Sequence, residues 1–135
     1  MVEELIIETP GQGLLDITSQ IRDFVTISGF EHGLCTVFVS HTSASLIIQE
    51  NADPSARRDL ENWLNRLVPE NDGLYTHTTE GPDDMPAHIK AILTSTSLGI
   101  PIISGRLGLG CWQGLYLWEH RRRGHRRRLL IHVGP

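Results

Sequence analysis

The chain has 135 residues, 39% of them hydrophobic and 21% charged, with a net charge of −4. That length fits one domain with its own core, and the composition excludes disordered, collagenous and disulfide-dense classes. No apolar run reaches bilayer-spanning length, and the acidic opening "MVEELIIETPGQG" has too short an apolar core for a signal peptide, so a cytoplasmic protein without membrane contact is expected.

In chain order, "EELIIET" alternates loosely and predicts an opening strand. "DITSQIRDFVTISG" predicts a helix with Thr18 as its cap, Ile21, Phe24 and Val25 on its apolar face, and Gly29 at its end. "GLCTVFVSH" is a strand with Cys35, Val37, Val39 and His41 on one face. "ASLIIQE" is the next strand, and the short connection between them predicts a hairpin or a bulge. "ADPSARRDLENWLNRLVP" gives the clearest helix, with Asp53 as cap and Pro54 in the first turn. Its stripe is Leu60, Trp63, Leu64 and Leu67, and Pro69 stops it. A polar loop, "ENDGLYTHTTEGPDD", leads to a short helix from about Met85 to Leu93. "GIPIISGRL", "GCWQGLYLWEH" and "RRRLLIHVG" close the chain as strands joined by hairpin-length connections. This pattern predicts an α+β fold, a single domain over residues 1–135, with mostly antiparallel strands.

Charge is unevenly distributed. Residues 1–105 carry fifteen acidic and five basic side chains, whereas residues 106–135 carry seven arginines and one acid, Glu119. Guanidinium suits forked recognition of phosphate or carboxylate, although a GC-rich genome yields the same bias. The run "HRRRGHRRR" reads as a nucleic-acid-binding hairpin with Gly124 at its tip, as a phosphate site, or as a solvated turn. The acidic remainder and the lack of any known RNA- or DNA-binding pattern make nucleic acid the least favoured partner. Cys35 and Cys111 are too few for a disulfide framework and are expected to be free thiols.

Chemistry is suggested in three places. In the short helix Asp84 and His88 are i,i+4 neighbours, so the carboxylate can hold the imidazole and fix which nitrogen is free. Simple helix-end preference also explains Asp84. His41 follows a strand and precedes Thr42, Ser43 and Ser45, while His77 lies in the threonine-rich loop. Their spacing matches no local metal motif, though an open three-histidine site can draw on distant segments. Glu119 sits on a strand with two apolar faces, so it needs a partner, with Arg106 or Arg121 as candidates.

"HTSASLIIQENADP", "EGPDDMPAHIK" and "GRLGLGCWQGLYLWEHR", together with "TPGQGLLDIT" and "SGFEHGLCTVFV", resemble in order the YjbQ family, described as secondary thiamine-phosphate synthases. The resemblance runs through nearly the whole chain. It implies a β-sandwich-like α+β domain with about three flanking helices, assembled as a homotrimer. It also implies coupling of a pyrimidine methyl diphosphate to a thiazole phosphate, weakly enough that this is a side activity. The family's polar motif positions are His41, Thr42, Ser43, Glu50, Asn51, His77, Asp84, His88, Gln113, Glu119 and Arg121. Cys111 departs from the threonine often found in "GTWQ". On this basis His41, His77 and His88 are expected to gather around a divalent metal, zinc or, for diphosphate chemistry, magnesium. His41, Asp84 and His88 are then the catalytic candidates. Thr42, Ser43, Glu50, Asn51, Gln113, Glu119 and Arg121 are the candidates for binding a small phosphorylated metabolite. A non-catalytic pocket for a metal or such a metabolite is the alternative.

Overall fold

Strand and helix periodicities build eight strands and three helices in the computed structural model, which describes residues 1–135. In chain order they begin with β1 (Val2–Glu8), β2 (Gly11–Asp16), α1 (Thr18–Ser28), β3 (His32–Val39), β4 (Ala44–Glu50) and α2 (Pro54–Leu67). There follow α3 (Asp84–Leu93), β5 (Ser97–Ile103), β6 (Arg106–Leu107), β7 (Gln113–Arg123) and β8 (Arg126–Gly134). One antiparallel sheet runs β1-β8-β3-β5-β6, and a second runs β2-β7-β4. The result is an α+β fold with a sandwich-like core. No helix is long and apolar enough to cross a membrane.

Alternation decides what each sheet buries. Cys35, Val37 and Val39 of β3 and Leu129, Ile131 and Val133 of β8 join Leu115 and Leu117 of β7 and Ile17, Ile21 and Val25 around α1 in the main core. The opposite face of β7 turns Tyr116 and Trp118 toward Leu14, Leu64 and Val68 in a smaller cluster beneath α2. β7 is therefore covered on both faces, buried without a break from Gly114 to His120. Burial pushes the Cys35 thiol up to about 11, leaving it an inert core residue.

Several local expectations give way to tertiary context. Thr18 does not cap α1; it is the first helical residue, and Asp16 Oδ1 accepts from both its amide (2.9 Å) and its hydroxyl (2.6 Å). The Thr18 hydroxyl oxygen in turn accepts the Leu115 amide at 2.9 Å, tying the helix start to β7. Gly29 does end α1, at φ 73°, in the left-handed region glycine enters at no steric cost. α2 starts as expected, with Asp53 accepting from the Ser55 amide. Its stripe is only partly buried: Leu64 is covered, while Trp63 and Leu67 stay half exposed. "GIPIISGRL" is not one strand, because Ser104 and Gly105 both take positive φ and fold it into the β5–β6 hairpin. β2 carries no strand signal in the sequence, since Gly11 and Gly13 break its alternation.

The short connections are the largest correction. β3–β4 and β7–β8 are not hairpins: in each pair the strands lie in different sheets, and β1–β2 crosses likewise. Glu8 pairs with Arg126, Gly11 with Arg123 and Ala44 with Glu119, so the three crossings meet at one corner. The Thr9 amide donates to His125 O, and the His120 amide to Ser43 O. An added Cβ at Gly124 would lie 2.0 Å from the Thr9 carbonyl oxygen. Gly124→Ala is therefore expected to cost about 1–3 kcal/mol through forced displacement of the crossing chain. Urea midpoints measure this, and an unchanged midpoint would show the corner yields freely.

Candidate metal centre and adjoining hollow

α3 begins at Asp84 with Pro86 in its first turn, where a missing amide is harmless. Helical periodicity puts Met85, Ile89, Ile92 and Leu93 on one stripe, yet Ile92 is 81% exposed and Leu93 is also exposed. The helix instead buries Asp84, Pro86, Ala87, Lys90 and Ala91. Small side chains let it lie close against β4 and β7, a packing choice that an apolar count cannot anticipate. Lys90, the only lysine, is buried and donates to Asn65 Oδ1 at 2.6 Å; burial lowers its pKa.

The loop between α2 and α3 braces itself through the Leu74 amide to Asp72 Oδ1 (2.9 Å) and the Tyr75 hydroxyl to Pro69 O (3.0 Å). It brings His77 to the start of α3. His77 Nε2 lies 2.8 Å and His88 Nε2 3.1 Å from the same oxygen, Asp84 Oδ2. These three ligand atoms fall within 4.8 Å of one another. Arg121 anchors the other carboxylate oxygen, with Nη1 3.0 Å from Asp84 Oδ1 and Nε 2.9 Å from Asp83 Oδ2. Burial works to raise the Asp83 carboxyl, but Arg121 and the Arg122 amide outweigh it and hold the group down at about 2.

Proton placement makes this cluster informative. His88 Nδ1 lies 3.0 Å from Thr42 O, a contact that requires a proton on Nδ1. The neutral ring then aims the Nε2 lone pair at a carboxylate oxygen. That arrangement requires a cation between them or a second proton on the ring. Metal-ligating histidines carry this same second bond to a carbonyl.

His41 stays outside the three-atom group. Its Nε2 accepts the Arg128 amide at 2.8 Å. The ring nevertheless shares with His88 an open hollow of about 570 Å³, whose wall also includes Thr42, Ala91, Ile92, Thr94 and Thr96. A second hollow, about 260 Å³, opens on the His77 side between Tyr75, Gly81 and Met85.

The phosphate-binding candidates scatter. Thr42 is exposed on the larger hollow, but Ser43 is buried, with its Oγ accepting from Arg127 Nη2 at 3.1 Å. Glu119 is buried against Arg127, which neither Arg106 nor Arg121 replaces. Its Oε1 accepts from Arg127 Nε (2.7 Å) and the Thr9 hydroxyl (2.7 Å), and its Oε2 from the Arg121 amide (3.1 Å). Burial works to raise this carboxyl; the bonds from Arg127 and Thr9 overcome that and lower it. Such a group has no free oxygen for a ligand. Glu50, Asn51 and Gln113 lie at the other end of β4, with Asn51 Nδ2 donating to Gln113 O (3.2 Å) and Gln113 Oε1 accepting the Gly110 amide (2.7 Å). The seven-residue length of β4 separates them from Ser43 and Glu119, about 20 Å at the usual strand rise.

The arginine run is mostly consumed internally. Arg121 pairs with Asp83 and Asp84, Arg122 with Glu70, Arg126 with Glu8, Arg127 with Glu119 and Arg128 with Glu4. The acidic bulk and the basic tail therefore neutralise each other within the fold.

Sequence reasoning missed a buried polar line. His120 Nε2 is 2.7 Å from Ser45 Oγ, which is 2.6 Å from Thr94 Oγ1, itself 2.8 Å from Lys90 O. His120 Nδ1 is buried without a partner. Burial, with Lys90 and Arg127 adding to it, pushes the His120 pKa from 6.5 down to about 3. Between those values the unfolded chain binds the proton and the folded chain does not, so stability is lost as pH falls below about 6.5, by about 1.4 kcal/mol per pH unit at most. Urea midpoints between pH 7 and 5 are expected to fall more steeply for the natural protein than for His120→Gln; equal slopes would contradict the neutral buried ring.

Comparison with known proteins places the chain in a family. Residues 3–134 match the family profile described as "UPF0047 protein YjbQ-like". The UPF0047 protein of Synechocystis sp. is 58% identical over 131 residues, covering 97% of this chain and 89% of that protein. The UPF0047 protein YjbQ of Escherichia coli O157:H7 is 44% identical over 115 residues, covering 85% and 80%. Among solved structures, an uncharacterized conserved YjbQ/UPF0047 protein of Clostridium acetobutylicum superposes with a TM-score of 0.89 at 36% identity, covering 98% and 99%. A conserved hypothetical protein of Thermus thermophilus gives 0.87 at 32% identity, covering 98% and 99%.

Proposed function

This chain belongs to the YjbQ-like UPF0047 family, and on that premise we propose that His77, Asp84 and His88 hold a divalent cation beside a pocket for a phosphorylated metabolite. The reaction proposed for it is thiamine-phosphate synthesis. The methylene carbon–oxygen bond of a pyrimidine methyl diphosphate breaks, pyrophosphate leaves with the electron pair, and the thiazole nitrogen of a thiazole phosphate takes the carbon. The single observation supporting the site is the convergence of two imidazole nitrogens and one carboxylate oxygen within 4.8 Å, with the other nitrogen of His88 engaged by Thr42 O.

Two nitrogens and one oxygen fit zinc better than magnesium, which prefers all-oxygen surroundings. A cation there supplies charge neutralisation for the departing diphosphate. The chain's own residues do the rest. Thr42 O and Asp84 fix the His88 ring, Arg121 holds Asp84, and the open hollow beside His88 receives the substrate. The protein needs no strong nucleophile, because the chemistry depends on stabilising charge on the leaving group. A homotrimer is part of the same reading: Leu34, Phe38 and Ile103 on the outer face of β3 and β5 are exposed apolar residues that self-association would cover.

Elemental analysis of protein without an affinity tag, paired with an assay of pyrophosphate release from the two substrates, tests the proposal. Stoichiometric zinc and saturable release are expected. Saturable ligand binding with no pyrophosphate at any enzyme concentration would convert the site to a non-catalytic binding module, and absence of metal after supplementation would remove the centre.

A further inference from the structure

The crossing from β3 to β4 fixes two imidazoles in opposite ways. Thr42 O takes the proton-bearing Nδ1 of His88 and leaves its Nε2 toward Asp84. The neighbouring residue, His41, has the reverse arrangement: its Nε2 accepts the Arg128 amide at 2.8 Å. A ring nitrogen that accepts an N–H bond carries no proton, so the neutral His41 ring holds its proton on Nδ1. Nδ1 has no partner in the chain, and the ring lines the hollow of about 570 Å³ beside His88.

Protonating Nε2 would set two N–H groups against each other. The charges around the ring agree: burial and Arg127 lower its pKa, His125 adds to this, and Glu119 opposes it without prevailing. One ring thus offers the hollow a fixed N–H donor, and the other offers a lone pair suited to a cation. The first complements an anionic oxygen directly, and the second only through a cation held between it and Asp84. Thr42 and Thr96 contribute exposed residues with hydroxyls on the same wall, while Ala91 and Ile92 add an apolar side.

We propose that this hollow is a phosphate or diphosphate subsite in which His41 Nδ1–H donates to an anionic oxygen of the ligand, the ligand's ring lying on Ala91 and Ile92. His41 is then a binding residue, neither a metal ligand nor a general base. The subsite deepens the function proposed above and rests on it, because a diphosphate here must lie within reach of His88.

Inorganic pyrophosphate is the probe, titrated calorimetrically into chelated and into zinc-loaded protein. His41→Ala is expected to weaken pyrophosphate binding roughly tenfold or more, the effect of losing a hydrogen bond to a charged group, with zinc content unchanged. His41→Asn keeps an N–H at the Nδ1 position and should recover part of that loss. Imidazole ¹⁵N spectra of the natural protein should show His41 as the Nδ1–H tautomer at pH 8, with its protonation moved below the ordinary histidine range. These spectra test the idea even if the variants fold poorly. An Nε2–H tautomer, ordinary titration near pH 6.5, unchanged affinity in His41→Ala, loss of zinc from that variant, or no pyrophosphate binding by the natural protein would each overturn it. Failure of the cation reading looks different: no zinc is retained, yet pyrophosphate binding to chelated protein still depends on His41.

Discussion

Asp84→Ala is expected to lower metal affinity by at least about 100-fold and to abolish pyrophosphate release. Asp84 Oδ2 is the one atom that both His77 and His88 approach, at 2.8 and 3.1 Å, while Oδ1 is held by Arg121. Partners that only orient metal ligands already cost 10–100-fold when removed, and Asp84 is proposed to be a ligand as well. Asp84→Asn keeps the shape and one carbonyl oxygen but loses the charge, so it should fall between the natural protein and alanine in zinc retention. The measurements are zinc content after dialysis against a competing chelator and the rate of pyrophosphate release, with a urea melt to show that each variant is folded. A folded Asp84→Ala protein that retained its zinc would sink the assignment.

Arg127→Ala is expected to be the most destabilising single substitution in the corner, at about 3–5 kcal/mol. The guanidinium is buried and donates to Glu119 and to Ser43, and Glu119 in turn accepts from Thr9 and the Arg121 amide. Thr9 belongs to the β1–β2 crossing and Ser43 to the β3–β4 crossing, whereas Glu119 and Arg127 flank the third. Truncating Arg127 leaves a buried carboxylate with its main counter-charge gone. Because small domains are stable by only about 5–15 kcal/mol in total, the loss is a large share of what holds the fold. The paired change Glu119→Leu with Arg127→Met removes both charges and should cost less than Arg127→Ala alone. Urea unfolding of both variants provides the check; a double variant less stable than the single one would show that these charges contribute more than mutual neutralisation.

Legibility followed the range of the interactions. The alternation of Cys35, Val37 and Val39, the Asp53–Pro54 start of α2 and the Asp84–His88 pairing depend on neighbours two to four positions apart, and all three appear in the structure. His77 was raised as one of three distant imidazoles but assigned to the site only through resemblance, since a loop histidine has no periodicity to place it. The partner of Glu119 was misjudged because Arg127 lies across a crossing between sheets that looked like a hairpin. His120 and Thr94 gave no signal at all: an isolated hydroxyl or imidazole reads the same whether buried or solvated.

By itself, the sequence determined most secondary elements, β2 and the β5–β6 turn excepted, the apolar faces of most strands and the i,i+4 pairing that begins the candidate centre. Only the tertiary structure decided that the β1–β2, β3–β4 and β7–β8 connections leave their sheets, that His77 joins Asp84 and His88 while His41 turns to the Arg128 amide, and that the arginine run is mostly spent on carboxylates of the chain itself. The division has a physical origin. Side-chain periodicity is set by local backbone geometry, which a linear pattern records. Sheet switching and charge pairing are set by which distant surfaces can be buried together, and contacts across β1–β8 or β2–β7 join residues a hundred or more positions apart.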